Sequence, residues 1–207
     1  MSTEAYFDLW KEAGIEMKSH AKRTHQSLEE VQEWLGNCKR CGLCKTRNEI
    51  VFGVGNPKAK LFFVGEGPGA EEDKQGLPFV GRAGQLLDKI IESMGLTRNK
   101  VYVANVVKCR PPQNRVPEED EQEKCLPFLK AQIAVVKPDF IVALGLTATR
   151  ALLNPDLQLA DVRGNFHPLS WNSEIEVLPT YHPAYLLRNP SAKKLVWEDM
   201  KKLIKKL

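Results

Sequence analysis

An α/β fold, a three-layer sandwich with a central mostly parallel sheet flanked by helices, is predicted by three features of the sequence. Short, predominantly apolar runs recur at residues 61–64, 101–107 and 140–145, as expected of strands covered on both faces. Between them, apolar residues return at helical spacing. Strand and helix alternate, which is the signature of parallel strands joined by crossover helices. Ligands of such sheets bind in the crevice beyond the carboxyl ends of the strands.

Residues 4–35 read as one or two helices, with Tyr6, Leu9, Trp10 and Ala13, then Leu28, Val31 and Leu35, at helical spacing. An irregular cysteine-bearing segment follows, then Ile50-Val51-Phe52-Gly53 and a turn at Gly55-Asn56-Pro57. Leu61-Phe62-Phe63-Val64 is the first strand, ending in Gly65-Glu66-Gly67-Pro68-Gly69. Beyond a polar loop, Gly81-Arg82-Ala83-Gly84 leads into a helix with Leu86, Leu87, Ile90, Ile91 and Met94 on its apolar face, stopped at Gly95. The second strand, 101–107, runs into Cys109-Arg110-Pro111-Pro112, where proline ends regular structure. A long helix over 117–136 opens with proline and acidic residues. The third strand covers 140–145, a short helix runs through Leu153, and Val177-Leu178-Pro179 forms the fourth strand. The last helix starts at about Ser191.

Length and charge narrow the classes. The 207 residues suit one domain, and a net charge of +4 implies no strong cationic field. Basic residues are unevenly placed: Lys39, Arg40, Lys45 and Arg47 surround the cysteines, and six lysines load the last helix. The first 22 residues carry Glu4, Asp8, Glu12 and Glu16, unlike a secretion signal. No segment approaches the length of a membrane span. A soluble cytoplasmic protein without membrane attachment is expected.

Cys38 and Cys41 form a C-x-x-C pair, and Cys44 makes a second, overlapping one. In an intracellular protein such pairs bind metal or do redox chemistry. A thioredoxin-like reading leaves Cys109 and Cys125 without a role. Four thiolates complete the shell of a [4Fe–4S] cluster or a tetrahedral zinc, and spacing leaves open which four of the five serve.

The glycine turn at 65–69 is neither a dinucleotide fingerprint nor a P-loop. It suits close approach of backbone amides to a flat ligand, with Glu66 projecting into the crevice; a solvated acidic loop of Glu66, Glu71, Glu72 and Asp73 is the alternative. In Tyr181-His182-Pro183-Ala184-Tyr185-Leu186-Leu187-Arg188, a histidine at a strand end precedes an apolar wedge and an arginine. Apolar wedging with arginine anchoring is a known means of holding DNA.

Four motifs, in order, carry a family resemblance. They are Gly65-Glu66-Gly67-Pro68-Gly69-Ala70-Glu71-Glu72-Asp73, Gly76-Leu77-Pro78-Phe79-Val80-Gly81, Asn105-Val106-Val107-Lys108-Cys109-Arg110-Pro111-Pro112, and residues 182–190. Together they resemble the family 4, iron–sulfur uracil-DNA glycosylases, from about Asn37 onward. The resemblance implies a single domain over 1–207 with a helical N-terminal extension before about residue 37. It implies a monofunctional enzyme that excises uracil from single- and double-stranded DNA and leaves an abasic site for base excision repair.

In that reading Phe79 stacks on uracil, Asn105 reads its polar edge, and backbone at Gly65 and Gly67 lines the pocket. His182 donates to the uracil O2, and Glu66 orients water and stabilises the cationic sugar; Glu72 and Asp73 are secondary candidates. Pro183, Tyr185, Leu187 and Arg188 contact DNA. Cys38, Cys41, Cys109 and Cys125 hold a [4Fe–4S] cluster, with Cys44 a bystander or alternative ligand. The protein is expected to be a monomer whose partner is uracil-containing DNA. A relative that traps its product covalently carries a histidine in the loop after the asparagine strand; residues 110–117 have none. The competing class is a non-catalytic iron–sulfur protein that binds uracil-containing DNA.

Overall fold

The computed structural model describes residues 25–207; the helical spacing expected over 4–24 lies outside them. Six strands form one sheet: β1 (Val54–Gly55), β2 (Leu61–Gly65), β3 (Tyr102–Asn105), β4 (Phe140–Leu144), β5 (His167–Leu169) and β6 (Asn172–Thr180). Their spatial order is β1-β3-β2-β4-β6-β5. The four inner strands, β3, β2, β4 and β6, are mutually parallel, whereas β1 and β5 pair antiparallel at the two edges.

Among the described residues eight α-helices accompany them: α1 (Leu28–Leu35), α2 (Ala70–Gln75), α3 (Arg82–Ser93), α4 (Glu119–Val136), α5 (Leu146–Leu152), α6 (Leu159–Val162), α7 (Pro183–Arg188) and α8 (Lys193–Ile204). The strand pleat sorts the core between the two faces. Phe62 and Val64 of β2, with Tyr102, Ala104, Ile141 and Ala143, pack under α1, α4 and α5 through Val31, Leu35, Phe128, Leu129, Ile133 and Leu152. Leu61 and Phe63, with Val103, Val142 and Leu178, face α3, α7 and α8 through Leu87, Ile91, Leu186, Val196, Met200 and Leu203. The predicted sandwich is therefore present, helices covering both faces of a mostly parallel sheet.

Several boundaries differ from expectation. The second strand leaves the ladder at Asn105, where its register with Gly65 ends. The fourth strand is longer, Asn172–Thr180, because β5 folds back on it. The polar loop after the glycine turn contains α2, whose first turn holds Glu71, Glu72 and Asp73 against the positive end of the helix dipole. The wedge segment is itself helical: Pro183 opens α7, its fixed φ and missing N–H suiting the first helical position.

Candidate active site and thiol centre

The carboxyl ends of the parallel strands bring the predicted pocket residues together. Gly65 ends β2, Asn105 ends β3 beside it, and His182 follows β6. Gly65 is required by close approach: a Cβ there would lie 2.4 Å from Asn105 Oδ1 and 2.5 Å from the Phe79 ring. Gly67 packs against the Val107 side chain. The β3 exit is stitched to the glycine turn by two backbone bonds, Val106 N–H to Gly65 O at 2.9 Å and Val107 N–H to Glu66 O at 3.1 Å.

Asn105 is 2 % exposed, and its Oδ1 is buried without a hydrogen-bond partner. Buried acceptors are nearly always bonded, so this oxygen awaits a donor that the folded chain does not supply. The Phe79 ring is buried beside it and lies 5.7 Å, centroid to centroid, from the His182 ring. Phe79 holds a left-handed backbone, φ 54°. Such conformations are uncommon outside glycine and persist when surrounding structure enforces them.

His182 caps α7, its Nδ1 accepting from the Ala184 N–H at 3.1 Å. A neutral ring that accepts at Nδ1 carries its proton on Nε2. Burial, assisted by Arg188 and opposed by Glu72, lowers its pKa to about 4. The ring is therefore neutral at pH 7, with Nε2–H as donor.

Glu66 stands half-buried at the end of β2, and the Thr147 hydroxyl at the start of α5 donates to its Oε2. Glu72 is no solvated loop residue. Its carboxylate accepts from Gly69 N–H at 3.1 Å, Val80 N–H at 3.0 Å and Gly81 N–H at 2.9 Å, clamping the glycine turn to the segment carrying Phe79. Asp73 is 1 % exposed and accepts from the backbone and side chain of Asn48 at 2.9 and 2.6 Å, tying α2 to the cysteine segment. Both carboxylates are thus committed to backbone architecture.

On α7, Tyr185, Leu187 and Arg188 are exposed, whereas Pro183 and Leu186 are buried. The exposed part of the wedge is therefore Tyr185, Leu187 and Arg188. Pro183 starts the helix from inside, beneath those three side chains. Tyr185 stacks on Tyr181 at 4.8 Å.

Cys38, Cys41, Cys109 and Cys125 line one cavity with Leu35, Leu43, Arg40, Arg47 and Lys124; Cys44 is not on its wall. Arg40 Nη1 donates to Cys38 Sγ, Arg47 Nη1 to Cys109 Sγ and the Lys108 backbone N–H to Cys125 Sγ, each at 3.2 Å. Arg47 also holds the Cys38 carbonyl at 2.7 Å, joining the two cysteine segments. Burial raises the thiol pKa values of Cys41 and Cys109, and that of Cys125 to about 12. Four thiols around a cavity, with cationic and N–H donors directed at sulfur, fit a thiolate-bound metal group.

Sequence reasoning missed Thr147, the Glu72 clamp and Lys108, which is wholly buried with its pKa lowered to about 8 by desolvation. Thr147 was discoverable, because it follows the third strand at the same sheet edge as Glu66. A lysine inside Asn105-Val106-Val107-Lys108-Cys109 was also a signal.

A family model described as the uracil DNA glycosylase superfamily matches residues 52–201, which hold the whole pocket. The class defined by this sheet and crevice is therefore that superfamily. Type-4 uracil-DNA glycosylases from three organisms align over most of the chain. That of Thermotoga maritima is 48 % identical, covering 84 % of this chain and 92 % of its own. Those of Sulfurisphaera tokodaii and Archaeoglobus fulgidus are 46 % and 41 % identical, each over 86 % of this chain and over 83 % and 92 % of their own. The chain belongs to the type-4 uracil-DNA glycosylases.

Proposed function

We propose that this protein hydrolyses the N-glycosidic bond of uracil in single- and double-stranded DNA, leaving an abasic site. The observation that carries the reading is the buried, unpartnered Oδ1 of Asn105, set beside Gly65 and the Phe79 ring. Uracil offers an N3–H donor beside carbonyl acceptors, the complement of a side-chain amide. Its flat face suits stacking on Phe79 once the nucleotide is turned out of the helix.

Bond cleavage leaves a sugar with oxocarbenium character and a uracil anion. Water then adds at C1′, and its proton balances the departing base. Neutral His182 donates Nε2–H to the uracil O2, where charge develops; fixed donors of this kind are among the largest contributors to catalysis. Glu66, steadied by Thr147, orients the water and stabilises the cationic sugar. Tyr185, Leu187 and Arg188 on the exposed side of α7 meet the DNA.

Cys38, Cys41, Cys109 and Cys125 would hold the [4Fe–4S] cluster that the type-4 family implies. Bound there, it supplies a cross-link between the Cys38 segment and the exit of β3 and no redox step in hydrolysis. Among the described residues no helix is long and apolar enough to cross a membrane. We further propose a monomer of one domain, working in the cytoplasm in base excision repair.

The test is incubation of cluster-loaded protein with a labelled oligonucleotide containing one uracil, followed by alkali. Strand cleavage at uracil, absent when thymine or cytosine replaces it, is expected. Tight binding without cleavage would overturn the reading in favour of a non-catalytic DNA-binding relative.

A further inference from the structure

We propose that Lys108 is a positioning residue: a buried strut that carries the seating of the thiol centre to the base-reading Asn105. Four bonds support it. The Lys108 ammonium donates to the Asn105 carbonyl at 2.8 Å and to Gln132 Oε1 at 2.6 Å. Its backbone N–H donates to Cys125 Sγ at 3.2 Å, and its carbonyl accepts from Val51 N–H at 2.8 Å. One residue thereby touches the thiol centre, the pocket strand and α4.

Gln132, also wholly buried, extends the strut. Its Nε2 donates to the Phe52 carbonyl at 2.9 Å, so the network reaches the segment leading into β1. No carboxylate is bonded to the ammonium of Lys108 among the described residues. A buried amine held only by neutral oxygens is costly relative to an apolar side chain of similar size, which argues for a task beyond filling space. The geometry supplies one. Asn105 is gripped at its carbonyl by Lys108, while its side chain stands free beside Gly65. Fixing the backbone there sets the Cα–Cβ direction from which Oδ1 is presented.

The inference rests on the uracil-reading role of Asn105 and adds the device that aims it. In cluster-loaded protein, Lys108→Met retains the stem and removes the donor, and Lys108→Gln keeps a shorter donor. Both are compared with the unaltered protein by iron content, affinity for uracil-containing DNA, single-turnover excision and amide exchange at Val106 and Val107. Expected are unchanged iron and DNA affinity, excision slower on the order of 100-fold for methionine, and faster exchange at those two amides. Glutamine should fall between, and it provides the reading if the methionine variant does not fold.

Excision and amide protection both equal to the unaltered protein would overturn the strut. A rate lost only in proportion to lost iron would also overturn it, making Lys108 part of the thiol centre's support instead. If the unaltered protein releases no uracil, the proposed activity fails, while amide exchange still decides whether Lys108 holds the β3 exit.

Discussion

The base pocket and the thiol centre are near neighbours in sequence, Asn105 in one and Cys109 in the other, yet they are built on opposite electrostatic terms. Around the thiols, guanidinium groups of Arg40 and Arg47 aim N–H donors at sulfur, an arrangement suited to thiolate charge. In the pocket, His182 is neutral at pH 7 and Asn105 presents an unbonded oxygen. One region is lined by fixed cationic donors, the other by neutral, oriented groups.

The largest expected effect tests the pocket side. His182→Ala should slow single-turnover excision by about 100- to 1000-fold with iron content unchanged; a near-normal rate would remove His182 from its assigned role. Cys109→Ser should lower folded yield, melting temperature and excision together, because a structural metal group contributes directly to folding. A stable but inactive variant would give the thiol centre a chemical role and blur the contrast. Cys44→Ser, off the cavity wall, should leave all three measurements unchanged.

Thr147→Val removes the hydroxyl on Glu66 and should cost on the order of 10-fold in rate, as expected for one hydrogen bond to a charged group. An unchanged rate would show that Glu66 is aimed by other means. The smallest effect is in pH. His182 has a folded pKa below the free value of about 6.5, so it takes up no proton until about pH 4. A rate profile should therefore show no loss from this ring between pH 8 and 6. Stability referable to His182 is intact above about pH 6.5 and falls toward pH 4, because there the unfolded chain binds the proton and the folded chain does not. Subtracting the pH–stability curve of His182→Gln isolates that loss.

The inner strands were legible because burial on both faces leaves unbroken apolar runs such as Leu61-Phe62-Phe63-Val64. The edge strands were not: β1 and β5 span two and three residues, too few to show any period. The acidic loop misled for a different reason. Glu72 and Asp73 are polar yet directed inward at backbone N–H groups, and composition cannot separate such a carboxylate from a solvated one. Within the site, residues at strand ends were readable from motif and position. Thr147 and Lys108 act by reaching across the fold, through contacts that only tertiary structure supplies.

The meeting of Phe79 and Gly84 bears on how this pocket can be re-engineered. A Cβ on residue 84 would sit 1.9 Å from the Phe79 carbonyl oxygen, so α3 and the stacking ring share a single tolerance. Trimming the ring enlarges the cavity but discards the stacking surface. A side chain at position 84 would meet the Phe79 backbone itself, which cannot swing aside as a side-chain tip can, so α3 accepts only glycine there. A directed-evolution library seeking other damaged bases should therefore keep glycine at position 84 and vary the residues around position 79.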